Sequence, residues 1–264
     1  MSGRSEGSVI RNCPLLQAFL AFAIVLVGSQ LFAPQFGDKY APLHSIFLQI
    51  LLVFGIPFVT SQWLKLNKRT VFSLNPTSLG NLACSVLIAL SLTILLEEMG
   101  YLQLQLIGVT SSKEISIYEL LQAHNLGELG WMFFSLALIP AVCEEFLFRG
   151  FIFNRLKHPN QIAEAVMLSS VLFGVFHREI PELLNNTVAG IVLSVIVFRS
   201  GSLYNSLLAH AVMNTVAISI VNSQTVQSIF RIGQKAHLPS VFLVTSAAGL
   251  IFGIRGLRSQ KNME

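Results

Sequence analysis

Glu144-Glu145-Phe146-Leu147-Phe148-Arg149 places two carboxylates and a guanidinium inside an apolar stretch. No charged residue occurs upstream from Trp131 to Cys143, or downstream from Gly150 to Phe153. A carboxylate near the middle of a membrane-spanning helix costs roughly 2.5–3.5 kcal/mol on insertion scales, so two adjacent ones need either a partner or a task. Glu145 and Arg149 lie four apart and share a helical face, which lets Arg149 neutralise Glu145. Glu144 is rotated about 100° from Glu145 and has no partner on its own helix. It is the first candidate for chemistry, and the chemistry open to it is general base catalysis.

Other polar groups within apolar segments are few. One segment ends Phe173-Gly-Val-Phe-His177, and another contains His210-Ala-Val-Met-Asn214, an i,i+4 pair on one face. Taken singly, these residues read as interhelical hydrogen bonding, typically worth about 0.6 kcal/mol. The Glu145–Arg149 pair, taken alone, reads as structural. Together, an unpaired Glu, two His and an Asn on three segments are what a water-activating site requires. A carboxylate in an apolar chamber can take a proton from water, and an imidazole can orient the same water. An Asn amide and a second His one turn away can donate to the oxyanion formed when water attacks a peptide carbonyl. Cys143 is a conceivable thiol nucleophile, but it points about 100° from Glu144 and faces other neighbours. The rival is zinc held by two His and a Glu with an open position. The chain has no H-E-x-x-H, so this ligand set is unspecific, and direct water activation is the preferred reading. No cofactor and no metal are expected.

Only 11% of the 264 residues are charged and 53% are hydrophobic. Soluble domains carry about 25% charge, so the composition indicates a membrane protein. Long apolar runs argue for helices over a barrel. The expectation is an all-α polytopic bundle of about eight transmembrane segments: Leu15–Phe32, His44–Trp63, Leu79–Leu96, Trp131–Phe153, Ile162–Phe176, Leu183–Phe198, Leu203–Val221 and Ser240–Ile254. The first is read as a retained span, not a cleaved signal. Asn75-Pro76-Thr77-Ser78 marks the start of the third. The loop Glu97–Leu129 contains Ile115–Gln122, which could lie as an amphipathic helix on the membrane surface or as a solvated loop. No repeat is evident, which weakens a transporter built of inverted halves. Residues 1–264 form a single membrane-embedded domain with a catalytic core over about 131–221.

Twelve of the 17 Lys and Arg fall on the side that holds both termini, which predicts both termini cytoplasmic. The net charge of +4 reads as topology and not as a nucleic-acid footprint. The three cysteines have no metal-ligand spacing and imply no disulfide framework.

Glu144-Glu145-x-x-x-Arg149, then Phe173-x-x-x-His177, then His210-x-x-x-Asn214, in this order on successive helices, resemble the three motifs of the CPBP family. That family comprises the CaaX proteases and bacteriocin-processing proteins, intramembrane glutamic endopeptidases. The resemblance covers roughly Trp131–Val221 and includes Phe148-Arg149-Gly150 and Gly201-Ser202-Leu203. It implies that Glu144 is the base, that His177 helps activate water, and that His210 and Asn214 form the oxyanion hole. Glu145, Arg149 and Phe173 would support them. The implied substrate is a peptide or membrane protein within the bilayer, and the setting a bacterial plasma membrane, with an organelle left open. Some members act in bacteriocin immunity or as scaffolds, so a non-catalytic scaffold, a zinc-dependent protease and a proton-carrying transporter stand as alternatives. One expectation conflicts with the rest. Counted along straight helices at about 1.5 Å per residue, His177 lies roughly 24 Å from Gln161 but Glu144 only roughly 16 Å from Arg155, too different to share a water.

Overall fold

In a hydrocarbon medium every backbone polar group must be satisfied within its own segment, and these apolar runs accordingly fold as helices. A computed structural model describes residues 13–32, 41–107, 122–177, 180–230 and 237–259, and every regular element among them is helical. The principal helices are α1 (Pro14–Phe32), α2 (Leu43–Trp63), α3 (Leu79–Ile107), α4 (Leu126–Leu156), α5 (Ile162–His177), α6 (Ile180–Ser200), α7 (Leu203–Asn222) and α8 (Ser240–Gly256). Six are long and apolar enough to cross a membrane, while α5 and α8 are shorter apolar helices. The eight expected segments are therefore all present in a helical membrane bundle.

One boundary needs correction. α3 does not stop at Leu96 but continues to Ile107, so the first part of the expected loop is helical. Its tail has partners: Gln103 donates to Asn185 of α6 at 2.6 Å. At the far end of that loop, Asn125 caps α4 by accepting from the Glu128 N–H. Of the possible surface helix Ile115–Gln122, all but Gln122 lies outside the described residues.

Small residues allow the closest helix approaches. α5 and α6 form the tightest pair, because a Cβ on Gly174 would stand 2.6 Å from the Leu183 carbonyl oxygen. α8 lies on α3 along Gly249, Gly253 and Gly256, which face Ser91, Ile88 and Cys84.

The ends of α2, α4 and α6 meet around the segment 64–78. The Leu203 N–H donates to the Ser73 carbonyl at 2.9 Å. Asn75 Nδ2 donates to the Gly201 carbonyl at 2.8 Å, and Ser202 Oγ to the Asn75 carbonyl at 2.6 Å. Asn154 Nδ2 lies within 3.1 Å of the Val71, Arg149 and Gly150 carbonyls. Asn81 pairs in both directions with the backbone of Arg258. Above this laced end sits the main apolar core, in which Phe72, Phe148, Phe151 and Phe173 are buried together with Leu147 and Ile152. Phe146 bridges Phe54 and Phe72 at ring separations of 5.0 and 5.1 Å.

Candidate active site

α4 is not a uniform α-helix. Its short α-helical segment Ile139–Glu145 lies between π-helical stretches Phe133–Leu138 and Phe146–Phe153. Pro140, which has no N–H to give to the preceding turn, sits at the start of that segment. Such widened turns are frequent at functional sites, where they change the phase of the side chains that follow. Glu144 and Glu145 occupy the last two positions before the second π stretch, and both are buried.

Glu145 has the expected partner and one more. Arg149 Nη1 donates to Glu145 Oε1 at 2.7 Å, in a pair whose side chains are 1% and 0% exposed. His210 Nδ1, from α7, lies 3.0 Å from the same oxygen. The guanidinium also rests over the Phe173 ring at 4.2 Å, a cation–π contact that replaces some lost hydration. Phe173 stands edge-on to Phe148, His177 and His210, with ring separations of 5.0, 4.8 and 5.8 Å. It is the spacer against which both imidazoles are set.

Glu144 faces outward from this pair. Its Oε2 is 4.0 Å from His177 Nε2 and 3.8 Å from His210 Nε2. The depth conflict is thereby resolved: α5 brings His177 to the level of Glu144, so the two helices are not straight, parallel rods with a common starting plane. His177 Nδ1 lies 2.9 Å from the Phe173 carbonyl, which can only accept, so Nδ1 carries the hydrogen and Nε2 is left bare toward Glu144. By the same logic Glu145 holds the Nδ1 hydrogen of His210. Both rings thus present Nε2 to one carboxylate oxygen.

Asn214 stands one turn beyond His210 and donates to the Ala137 carbonyl of α4 at 3.4 Å. It lies on the same helix as His210, but no hydrogen bond ties it to Glu144 or His177 in the described structure. Cys143 is buried and unbonded. One residue that the sequence reading passed over completes the cluster: Gln49 Nε2, on α2, donates to Glu144 Oε1 at 3.0 Å. A lone amide in an apolar run was the available signal.

Glu144 Oε2 stands 4.0 and 3.8 Å from the Nε2 atoms of His177 and His210, wider than the roughly 3.3 Å between ligands of a tetrahedral zinc held at about 2.0–2.1 Å. Among the described residues no group of three or more His, Cys, Asp or Glu has metal-holding geometry. The arrangement can hold a water instead. A gap of 4.0 Å is too long for a direct hydrogen bond and short enough for one water to donate to both ends.

Residues 127–216 match the family model described as type II CAAX prenyl endopeptidase Rce1-like. This segment contains all three motifs, so the resemblance carried by the motif residues holds over the site. A curated Bacillus subtilis (strain 168) protein named "Putative membrane peptidase YdiL" is 29% identical over 112 residues, covering 42% of this chain and 44% of the relative. The chain thus matches less than half of that relative's length. No solved structure matches.

Proposed function

We propose that this chain is an intramembrane endopeptidase in which Glu144 activates water for attack on a peptide carbonyl. The observation that carries the reading is the convergence of Glu144 Oε2 with His177 Nε2 at 4.0 Å and His210 Nε2 at 3.8 Å, from three different helices. A water seated there donates one hydrogen to Glu144 Oε2 and the other to His177 Nε2. As its oxygen attacks the carbonyl carbon, the proton moves to Glu144 Oε2, and from there it can pass to the leaving amine.

The oxyanion is met by His210 and Asn214. Because Glu145 holds the Nδ1 hydrogen of His210, that ring offers a second N–H from Nε2 only as imidazolium, with Glu145 as its counter-ion. Asn214 contributes the Nδ2 hydrogen not directed at Ala137. Glu145, Arg149 and Phe173 support these groups without touching the reacting atoms. The match over residues 127–216 and the name of the bacterial relative favour a membrane peptidase over a scaffold or transporter. The substrate class is a peptide or membrane-protein segment presented within the bilayer, and the chain works without nucleic acid. The setting is the bacterial plasma membrane with both termini cytoplasmic.

The test is cleavage of a peptide panel by purified protein in vesicles, read by mass spectrometry. Hydrolysis that disappears in Glu144→Gln is expected. A wild-type protein that cleaves nothing while remaining folded supports the scaffold reading, and proton flux lost in Glu144→Gln supports the transporter. Chelator-sensitive hydrolysis with stoichiometric bound zinc supports the metal-dependent protease.

A further inference from the structure

Gln49 lies among lipid-facing side chains of α2, with Phe47, Ile50 and Leu51 each about half exposed. It opens the π-helical stretch Gln49–Phe54, which packs on the α4 segment bearing Glu144. Its amide spans the gap and donates to Glu144 Oε1 at 3.0 Å, while its own Oε1 is buried with no hydrogen-bond partner. A buried acceptor left without a donor is destabilising. An aliphatic side chain would fill the same place without that cost, so packing alone does not account for the amide. The orientation is fixed by chemistry, since a carboxylate oxygen can only accept and must face the NH₂ group.

The consequence falls on Glu144. A glutamate has three rotatable bonds, and neither Arg149 nor His210 holds this one by a direct hydrogen bond. Its recorded hydrogen bond is that from Gln49, which ties down Oε1 and leaves Oε2 facing both imidazoles. We infer that Gln49 is a positioning residue for the hydrolytic base, supplied by α2 from outside the segment that matches the family model. It divides the carboxylate into a tethered oxygen and a working oxygen. The inference rests on the hydrolase reading for its kinetic consequence only; the tether itself does not depend on it.

The kinetic test compares wild type with Gln49→Met, which keeps the length of the side chain and removes the donor, and with Gln49→Leu as a second variant. A displaced base lowers kcat by about 10–100-fold, because a misplacement near 1 Å can cost about a hundredfold. KM stays within about twofold, since Gln49 does not hold substrate in this account. A packing defect would instead lower the folded fraction and leave kcat per folded molecule unchanged. Folded variants with wild-type kcat, or with the loss confined to KM, overturn the proposal. The second arm needs no substitution: magic-angle-spinning NMR of wild type in membranes, with labelled Gln49 side-chain nitrogen and labelled Glu144 carboxyl carbon. A dipolar coupling between them is expected, and its absence overturns the tether. If wild type cleaves nothing but the coupling is present, the hydrolase reading fails and the tether stands. If hydrolysis is lost in Glu144→Gln while both Gln49 variants are fully active, this inference alone fails.

Discussion

Arg149→Ala isolates the buried charge pair on which the floor of the site rests. At 2.7 Å and an effective dielectric constant of about 20, two unit charges attract by about 6 kcal/mol before desolvation is counted. With the pair essentially unexposed, the net loss on removing one partner is about 3–5 kcal/mol, because Glu145 is left buried without its cationic partner on α4. The guanidinium also leaves the Phe173 face at 4.2 Å, worth up to about 2 kcal/mol where desolvated. The melting temperature should therefore fall by about 10 °C in detergent. Buried Cys143, beside Glu144, gives a local readout: in a background with Cys13 and Cys84 replaced by Ser, its labelling by a thiol reagent tracks opening of this region. Combining Glu145→Gln with Arg149→Ala removes the stranded charge and should recover part of the loss. An Arg149→Ala protein that melts within about 1 °C of wild type would refute the pairing argument. So would a double variant no more stable than the single one.

Glu144→Gln should abolish hydrolysis with thermal stability kept, measured as product formation beside a melting curve; turnover near the wild-type rate removes Glu144 from the chemistry. Asn214→Ala should lower kcat by about 10²–10³ with little change in KM, as for loss of an oxyanion donor. If instead Asn214→Ala stays active while His177→Ala and His210→Ala both lose stoichiometric zinc, the metal reading replaces this one. His177→Ala should lower kcat in single-turnover kinetics, because the group that orients the attacking water is gone; a wild-type kcat would place His177 outside water activation. Gly174→Val should separate α5 from α6 and carry His177 away from Glu144, seen as loss of both stability and activity.

Much of this was legible because hydropathy and helical spacing report faces. The eight apolar runs, the Glu145–Arg149 pair and the i,i+4 relation of His210 to Asn214 follow from period and charge alone. What periodicity cannot report is which neighbour a face meets. Gln49 is 95 residues from Glu144 in sequence, and nothing local to either position announces their contact. His210 was legible as a polar group beside Asn214, yet its recorded hydrogen bond is to Glu145, on another helix. The misjudged depth of His177 came from letting α4 and α5 run parallel from a common plane; periodicity reports neither the tilt nor the starting depth of a helix, and the structure brings His177 to within 4.0 Å of Glu144. α3 outran its expected end because Glu97 and Glu98 were read as a boundary. Glu98 is instead buried, bonded to His237 and to the Leu238 N–H.

The aromatic layer beneath the site bears on the membrane as an electrical insulator. A protein that admits water to mid-bilayer risks short-circuiting the proton gradient, because a continuous file of water would conduct. Side-chain exposure rises from 0% at Glu145 and 1% at Arg149 to 6% at Glu144, 7% at His210 and 25% at His177, so the site opens on the His177 side. On the opposite side the path would have to pass the buried Glu145–Arg149 pair, then Phe148, Phe151 and Phe72, and finally the laced segment 64–78. The apolar side chains of this layer deny protons a wire. Gly150 lets this layer close, since a Cβ there would stand 2.8 Å from the Phe72 ring. A larger residue at position 150 should therefore raise the proton permeability of vesicles carrying the protein.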